Sequence, residues 1–303
     1  MRIGIDLGGT KTEGLLLAAG GEEARVRVAS AREYAGTLEV IVELVGELER
    51  RAGRRCTVGV GIPGSLSPTT GRVRNANSTW LEGHVLDRDL TKKLGRPVRV
   101  TNDANCFALS EATDGAAVGA DPVFGVIIGT GVGGGVVVGG RVLVGASGIA
   151  GEWGHMPLPV ASVDEVPGPA CWCGRSGCVE RWLSGPGMAA DHARRTGESL
   201  DATTISNRAA DGEGKAVETL RRYVDRLGRS LAVVVNVLDP EVVVLGGGVS
   251  NVVGLAERVE RALHPHVFTD SPRVRVVRNQ HGDSSGVRGA AWLWTPEEAA
   301  SGF

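Results

Sequence analysis

The sequence has almost no net charge and no long apolar run. It contains 33 Lys and Arg residues against 35 Asp and Glu residues, which gives a formal charge of -2 at pH 7. A dedicated nucleic-acid-binding protein usually has a basic surface, and this balance does not supply one. A membrane-spanning helix needs about 20 consecutive apolar residues, and no segment approaches that length. We therefore expect neither nucleic acid nor a membrane as a partner.

A secretory signal is also lacking, and cysteine is scarce. The first residues, Met1-Arg-Ile-Gly, do not resemble a signal peptide, which predicts a cytoplasmic protein with reduced thiols. Two of the five cysteines, Cys56 and Cys106, lie among apolar residues. We expect both to be small buried side chains of the core.

The other three cysteines form a compact cluster with one histidine. The predicted ligands are His155, Cys171, Cys173 and Cys178. A Cys-x-Cys-x4-Cys spacing with a histidine sixteen residues upstream supplies the nitrogen and sulfur ligands of a closed tetrahedral zinc site, and Gly174 and Gly177 allow a tight loop. A disulfide with a spare thiol is the alternative, but Cys171 and Cys173 are too close in sequence to pair comfortably. Four protein ligands leave no open position, which predicts a structural zinc.

Two acidic residues flank this cluster. Glu152 precedes His155 by three residues, and Glu180 follows Cys178 by two. A metal ion that fixes the loop would also fix two carboxylates able to bind a polyol, so we predict a structural zinc ion beside a sugar pocket. Trp172 in the same loop either stacks on the sugar or packs in the fold, and packing is the commoner role of a single tryptophan.

Glycine is in clear excess and is clustered. The chain has 46 glycines among 303 residues, against about 7% in an average protein. Segments 2–17 and 123–138 share one plan, in which β-type residues flank a glycine-rich turn on both sides. A chain of this length with 42% hydrophobic residues can bury substantial cores. We therefore predict two lobes of related α/β plan.

The predicted lobes divide near residues 115–121, where small residues accumulate. The first is a small lobe of residues 1–117, joined by a C-terminal helix of about 286–303. The second is a large lobe of residues 118–285 that includes the zinc loop. Periodicity and end signals predict helices over 37–51, about 103–112 and 217–238, and strands over 57–62, 98–101 and 241–245. The segment 158–169 is either a mobile lid or a passive connection.

The glycine-rich turns are candidate phosphate sites. Gly8-Gly9-Thr10-Lys11-Thr12 superficially resembles a P-loop, but the upstream glycine spacing is absent and a strand follows instead of a helix. The turn can present backbone N–H groups and the Thr10 hydroxyl to phosphate oxygens, with Asp6 nearby for a metal ion. A matching turn, Gly129-Thr130-Gly131, is predicted to lie across a cleft from it. Each turn alone is more often a simple hairpin turn. Gly246-Gly247-Gly248 either admits a flat adenine or ribose or is a strand-to-helix turn.

Asp103 is the candidate catalytic base. It lies where a predicted strand runs into a predicted helix, between Asn102 and Asn105. Phosphoryl transfer to a hydroxyl needs a carboxylate that accepts the proton, and the neighbouring amides can hydrogen-bond sugar hydroxyls. The alternative is an ordinary helix cap, which Asp and Asn often form at such junctions.

Together these motifs resemble the ROK family of bacterial sugar kinases and repressors. The resemblance covers nearly the whole chain and rests on segments 6–11, 61–64, 102–105, 129–135, 151–155, 171–180 and 245–248. It implies an α/β, two-lobed actin/hexokinase-like fold of the ribonuclease H-like type, with a mixed sheet and helices in each lobe and the active site in the interlobe cleft. ATP and Mg²⁺ are implied in that cleft, with Asp103 as the base for the 6-hydroxyl of a hexose. A homodimer is expected as well.

The resemblance also implies the binding residues. Zinc is expected on His155, Cys171, Cys173 and Cys178. The implied sugar contacts are Gly64, Asn77, Asn102, Asp103, Glu152, His155 and Glu180. The implied nucleotide contacts are Gly4, Ile5, Asp6, Leu7, Gly8, Gly9, Thr10, Lys11, Gly129, Thr130, Gly131, Val132, Gly133, Gly134, Gly135, Val136, Gly246, Gly247 and Gly248.

Two further segments, 73–81 and 281–294, look like the fructokinase branch of the family, also called mannokinase. We therefore expect an ATP-dependent fructokinase that gives fructose 6-phosphate. The alternatives are an N-acetylglucosamine kinase or a broad glucose and mannose kinase. The loop from Asn77 to Trp80 differs most between these branches and is expected over the sugar, where Trp80 either stacks on it or packs in the fold.

The family also contains sugar-responsive repressors that carry an N-terminal helix-turn-helix. A first strand predicted from Arg2 leaves no room for that module, and the neutral charge adds no basic stripe. A sugar sensor without catalysis is the other alternative, but it would not need Asp103 together with two phosphate turns. The sequence therefore favours a kinase over both.

Overall fold

The structure is a computed structural model that describes residues 1–301, apart from the side chain of Asp283. Its strands are β1 (Arg2–Leu7), β2 (Lys11–Ala18), β3 (Gly21–Ala29), β4 (Thr57–Ile62), β5 (Ser65–Leu66), β6 (Val73–Arg74), β7 (Val98–Asn102), β8 (Val123–Ile128), β9 (Val132–Val138), β10 (Arg141–Val142), β11 (Val242–Gly246) and β12 (Arg275–Arg278). Its helices are α1 (Tyr34–Ala52), α2 (Leu86–Leu94), α3 (Asp103–Asp114), α4 (Glu180–Leu183), α5 (Gly185–Thr196), α6 (Ala202–Ala210), α7 (Gly214–Leu238), α8 (Leu255–Leu263), α9 (Ser285–Trp292) and α10 (Pro296–Ser301).

The chain forms two compact units. The first comprises Met1–Gly115, Gly140–Ala150 and Asp283–Phe303, and the second comprises Ala116–Gly139 and Gly151–Gly282. The lobe boundaries drawn from the sequence stay a prediction. Residues 302 and 303, the end of the C-terminal helix predicted over 286–303, lie outside the described residues.

The first unit is built on a five-stranded mixed sheet in the order β3-β2-β1-β4-β7. β1 and β2 are the predicted hairpin and pair antiparallel, whereas β4 runs parallel to both β1 and β7. Ile3, Ile5, Val58 and Val60 are fully buried in β1 and β4, because helices cover the centre of a sheet that has parallel strands. Both α1 and α9 pack against β1.

The second unit repeats this strand plan. β9, β8, β11 and β12 are neighbours in that order, with β8 antiparallel to β9 and parallel to β11. Its core surrounds Trp182 and Tyr223, which are 2% and 1% exposed. The repeated order confirms the similarity predicted between segments 2–17 and 123–138, and it confirms the α/β class with a mixed sheet in each half.

Helix α9 lies unusually close to the sheet of the first unit. A Cβ atom at Gly4 or Gly59, in β1 and β4, would overlap a backbone carbonyl oxygen of α9, and one at Gly289 would overlap the Cys106 carbonyl oxygen of α3. Only glycine permits backbones to approach this closely. Gly4 in β1 and Gly59 in β4 therefore allow α9 to pack directly against the backbone of the sheet.

The predicted single C-terminal helix is wrong, because α9 ends at Trp292 and α10 begins at Pro296. A residue before proline avoids the helical conformation, and proline is favoured in the first turn of a new helix. In the break, Trp294 is 9% exposed and its Nε1 donates to Val58 O at 2.8 Å. The break between α9 and α10 thus places the Trp294 side chain in the core of the first unit.

The connection from residue 158 to residue 169 is anchored by buried charges. The Glu165 carboxylate is 6% exposed and accepts from Arg226 Nε at 2.7 Å and from Arg229 Nη2 at 2.8 Å, both on α7. Arg229 also donates to the Val160 carbonyl at 2.8 Å. Burial alone would raise the pKa of Glu165, but these hydrogen bonds lower it to about 2. These contacts favour a fixed connection over a mobile lid.

Replacing Glu165 with Ala is expected to lower the free energy of unfolding by about 3 kcal/mol, because two buried guanidinium groups lose their shared partner. The folded pKa lies below the ordinary value of 4.5, so this stabilisation is present above that pH and is lost as the pH falls toward 2. Chemical denaturation at neutral and at acidic pH measures both effects. Glu218→Ala, which breaks an exposed ion pair with Arg221 on α7, is the control and should change little. Equal losses in the two variants would contradict the anchoring role.

Candidate active site and metal centre

The four predicted metal ligands lie together in the second unit. The ligand atoms of His155, Cys171, Cys173 and Cys178 are all within 4.8 Å of one another. Cys173 Sγ is 3.6 Å from Cys178 Sγ, and Cys171 Sγ is 3.7 Å from His155 Nδ1. Sulfur ligands about 2.3 Å from a tetrahedral zinc ion lie about 3.7 Å apart. The cluster is therefore a possible Cys₃His metal site with the spacing that zinc requires.

The thiols also decide between the alternatives left by the sequence. All five cysteines are free, so the alternative of a disulfide with a spare thiol is not realised. Cys56 and Cys106 are 1% and 0% exposed, which confirms that they are small core residues.

The loop that holds the cysteines is shaped by local hydrogen bonds and two glycines. Cys171 N donates to Arg175 O at 2.7 Å, and Gly177 N donates to Pro169 O at 2.9 Å. Gly174 and Gly177 have φ angles of 87° and 71°, which glycine adopts without the strain other residues would carry. The predicted role of these two glycines is confirmed.

The thiols of the cluster differ in acidity. A hydrogen bond from the Arg175 backbone N–H lowers the pKa of Cys173 to about 6, whereas burial raises the pKa of Cys178 to about 12. The lowered pKa favours the thiolate form of Cys173, which is the form that binds metals. A cation at the cluster would displace the proton that Cys178 retains.

The two acids that flank the cluster have different surroundings. Glu152 is exposed and precedes the short 3₁₀ turn Trp153–His155. Glu180 begins α4, and its Oε2 accepts from the Val132 backbone N–H at 3.1 Å while its Oε1 accepts from Trp172 Nε1 at 2.8 Å. The indole N–H of Trp172 is thus hydrogen-bonded to Glu180, a role that sequence reasoning missed because residue spacing does not specify the side-chain rotamer.

The glycine-rich turn after β8 adjoins a cavity of about 670 Å³ in the second unit. Gly129 and Thr130 line one part of it, together with Gly248. The walls combine small apolar residues with polar ones. The apolar residues include Pro186, Ala189, Ala202, Ala209, Val249 and Val252, and the polar ones include Asp201, Asn207 and Arg258. Sequence reasoning missed these wall residues, because side chains on α5, on α6 and after β11 have no distinctive spacing.

The structure places the remaining predicted nucleotide residues of this unit in the sheet or beside it. Gly133, Gly134, Gly135 and Val136 belong to β9, and a Cβ at Gly134 would lie 2.8 Å from Trp153 Cδ1. Gly246 ends β11. Gly247 has a φ of 81°, and a Cβ there would lie 2.5 Å from Ile128 O. Gly247 thus allows the turn after β11, whereas Gly248 lines the cavity.

The turn between β1 and β2 is internally bonded. Gly8 N donates to Lys11 O at 3.0 Å, and Ser30 N donates to Thr10 O at 3.0 Å. Gly9, Thr10 and Lys11 are exposed. The predicted nucleotide contacts Gly4, Ile5 and Leu7 are buried in β1, where they form part of the core.

Asp6 and Asp103 form an electrostatically coupled pair in the first unit. Burial raises the pKa of Asp6 to about 7, and the negative charge of Asp103 adds to this shift. The same two carboxylates, after burial itself, raise the pKa of the Cys106 thiol. A buried carboxylate whose pKa is raised beside a second carboxylate is typical of catalytic and cation-binding sites.

The helix cap at this junction is Asn102, not Asp103. Asn102 Oδ1 accepts from Ala104 N at 2.9 Å and from Asn105 N at 3.4 Å, while its Nδ2 donates to Gly64 O at 2.9 Å. Asp103 is the first residue of α3. Asp103 Oδ1 also accepts from Ala104 N at 2.8 Å, so the carboxylate lies at the helix N-terminus beside the capping amide.

The loop expected over the sugar is partly fixed to the core. Asn77 is exposed, and Asn75 just before it has a φ of 56°. Trp80 Nε1 donates to Thr37 Oγ1 at 3.1 Å, and the ring packs against the apolar core. Trp80 is therefore a packing residue, whereas Asn77 and Thr79 of this loop are exposed.

A family profile described as the ROK family matches residues 2–297. The chain belongs to the ROK family. An N-acetyl-D-glucosamine kinase of Photobacterium profundum is 40% identical over 299 residues, covering 97% of this chain and 99% of that protein. Among solved structures, the ROK hexokinase of Thermus thermophilus has a TM-score of 0.85 at 33% identity, with 96% of each chain covered. A ROK glucokinase of Streptomyces griseus in complex with glucose and AMPPNP has a TM-score of 0.78 at 28% identity, with 99% of each chain covered.

These similarities confirm the predicted actin/hexokinase-like fold of this ROK protein. They do not support the predicted fructokinase branch, because the relative from Photobacterium profundum is named for N-acetyl-D-glucosamine. The resemblance of segments 73–81 and 281–294 to the fructokinase branch therefore has no support from these relatives, which fit the alternative of an N-acetylglucosamine kinase better. In the described part of the chain, no helix combines the length and the apolar character that crossing a membrane requires.

Proposed function

We propose that this ROK protein is an ATP-dependent sugar kinase that transfers the γ-phosphate of ATP to the 6-hydroxyl of N-acetyl-D-glucosamine. The observation that carries the kinase proposal is the carboxylate pair of Asp103 and Asp6, since a carboxylate near a helix N-terminus can accept a hydroxyl proton where phosphate is also favoured. The similarity to a named N-acetyl-D-glucosamine kinase over nearly its whole length supports that sugar over fructose.

In the proposed reaction, Asp103 accepts the proton of the 6-hydroxyl as the sugar oxygen attacks the γ-phosphorus and ADP leaves. Asp6 suits a magnesium ion, because its carboxylate oxygen is a ligand that Mg²⁺ prefers. Burial and the charge of Asp103 raise its pKa, and a bound cation would favour its ionised form. When bound, magnesium neutralises the charge that spreads over the phosphate oxygens. The exposed Gly9 and Thr10 are the turn residues proposed to bind these oxygens.

The cavity of the second unit is the proposed nucleotide site. Its walls of alanine, valine and proline suit the flat apolar face of adenine, and Gly248 allows the ring to approach the backbone. Gly129 and Thr130 line this cavity, and the turn Gly129-Thr130-Gly131 is the proposed site for the phosphate groups. The N–H group of Val132 is not proposed as a phosphate donor, because it already donates to Glu180.

The Cys₃His cluster is proposed to bind structural zinc and to support the sugar contacts. Nδ1 of His155 lies toward the Cys171 sulfur, so a metal bound there leaves Nε2 for a sugar hydroxyl. Glu152 and Glu180 are the proposed acidic sugar contacts of this unit, and Gly64, Asn77 and Asn102 are those of the first unit. A homodimer is proposed as well, and sedimentation velocity would test it.

Initial-rate assays with ATP and magnesium test the substrate. Among N-acetyl-D-glucosamine, glucose, mannose and fructose, N-acetyl-D-glucosamine is expected to have the highest kcat/KM by about tenfold or more, with the product phosphorylated at position 6. The Asp103→Asn protein, purified identically, controls for contaminating kinases. A preference for fructose would reverse the substrate proposal but keep the kinase. Sugar binding without turnover of any of the four would replace the kinase with a sensor.

A further inference from the structure

The carboxylate of Glu180 is held from two sides within the second unit. The Val132 backbone N–H donates to Oε2 at 3.1 Å, and the indole Nε1 of Trp172 donates to Oε1 at 2.8 Å. A Cβ at Gly131 would lie 2.8 Å from Glu180 Oε2, so the carboxylate also explains why glycine stands in that turn. Each carboxylate oxygen keeps a second lone pair for a ligand hydroxyl.

Trp172 itself lies among the candidate metal ligands. It lies between the two ligands Cys171 and Cys173, and its ring packs edge-to-face on the ring of His155 with the centroids 4.8 Å apart. The side chain is nevertheless 63% exposed. An exposed tryptophan does little for the core, so its fixed position serves the hydrogen bond to Glu180 more than it serves packing.

We propose that Trp172 is a positioning residue that fixes the Glu180 carboxylate for the sugar and links sugar affinity to metal occupancy. A metal ion bound to Cys171 and Cys173 would hold the backbone on both sides of Trp172. Trp172 donates to Oε1 of Glu180, and Val132 donates to Oε2. A glutamate fixed in its binding rotamer loses less conformational entropy when the ligand arrives. This inference rests on the proposed role of Glu180 as a sugar contact.

The test is Trp172→Phe, which keeps a ring beside His155 and removes only the N–H donor. Loss of one charge-assisted hydrogen bond predicts that the KM and Kd for N-acetyl-D-glucosamine rise about tenfold. The kcat, the KM for ATP and the zinc content are expected to stay near the wild-type values. Kd is measured by titration calorimetry without ATP, and zinc by elemental analysis. Ser176→Ala, an exposed change in the same loop, is the control.

Glu180→Ala and the double variant separate the possible failures. If Glu180→Ala leaves the sugar Kd unchanged, the proposed sugar role of Glu180 fails. If Glu180→Ala weakens binding but Trp172→Phe does not, only the positioning role fails. Loss of zinc in Trp172→Phe would also overturn the positioning role, because the indole would then act by retaining the metal. Support requires that Trp172→Phe has no further effect once Glu180 is Ala.

Discussion

Replacing Asp103 with Asn is expected to reduce kcat about 10³-fold, in the range that removal of a general base produces. The amide has nearly the same shape, and Asn102 still caps α3 through Ala104 N and Asn105 N, so the helix start should stay intact. The Kd for the sugar is expected to remain within about threefold, because neutral amides also hydrogen-bond hydroxyls. Steady-state kinetics and titration calorimetry on the same preparation measure the two quantities.

The control for this change is Asp270→Asn, which makes the same chemical substitution at an exposed position of the second unit. It should leave kcat and KM unchanged. A kcat for Asp103→Asn within tenfold of the wild type would remove Asp103 as the base, and Asp6 would become the residue to test next. A large rise in the sugar Kd with little change in kcat would make Asp103 a binding residue instead.

Replacing Cys173 with Ser is expected to abolish metal binding, since the chain would keep only three of the four ligands and lose the thiol with the lowered pKa. Structural zinc contributes about 10–16 kcal/mol to the folding of small zinc domains, so a large fall in thermal stability should follow. The sugar Kd should rise at least about tenfold, because Trp172 and Glu180 lose their support. Elemental analysis, calorimetric melting and sugar titration measure the three effects.

Cys56→Ser is the matched control, because Cys56 is a buried cysteine of the first unit, away from the ligand cluster. This variant should keep the full metal content and lose only modest stability. If Cys173→Ser kept both the metal and the sugar affinity, the Cys₃His site would not be the metal centre. Loss of metal with unchanged sugar affinity would leave a zinc site that has no part in sugar binding.

The sequence predicted those parts of the structure that depend on local patterns. The hairpin of β1 and β2 and the buried strand β4 follow from runs of β-type residues. The metal cluster follows from ligand spacing within one loop, because four ligands so close in sequence need little help from the rest of the fold. The break before α10 also has a local signal, because the residue before Pro296 is disfavoured in a helix. The predicted single helix did not take this proline into account.

The cavity and the cap depended on information that local patterns do not contain. The cavity walls come from α5, α6 and the residues after β11, which are distant in sequence and meet only in the folded unit. Asn102 and Asp103 are equally good caps by residue type, and only the observed hydrogen bonds assign the role to Asn102. The hydrogen bond of Trp172 to Glu180 likewise needed a side-chain rotamer that no spacing specifies.

The contact between α9 and the first sheet has a consequence for how the protein is made. Domains of a growing chain usually fold in order from the N-terminus during synthesis. Here β1 and β4 leave the ribosome early, but the helix that covers them ends at Trp292. The first half must therefore wait, with one apolar face uncovered, while the intervening second unit is translated. We therefore expect nascent chains of this protein to expose an apolar face of the first sheet until late in translation.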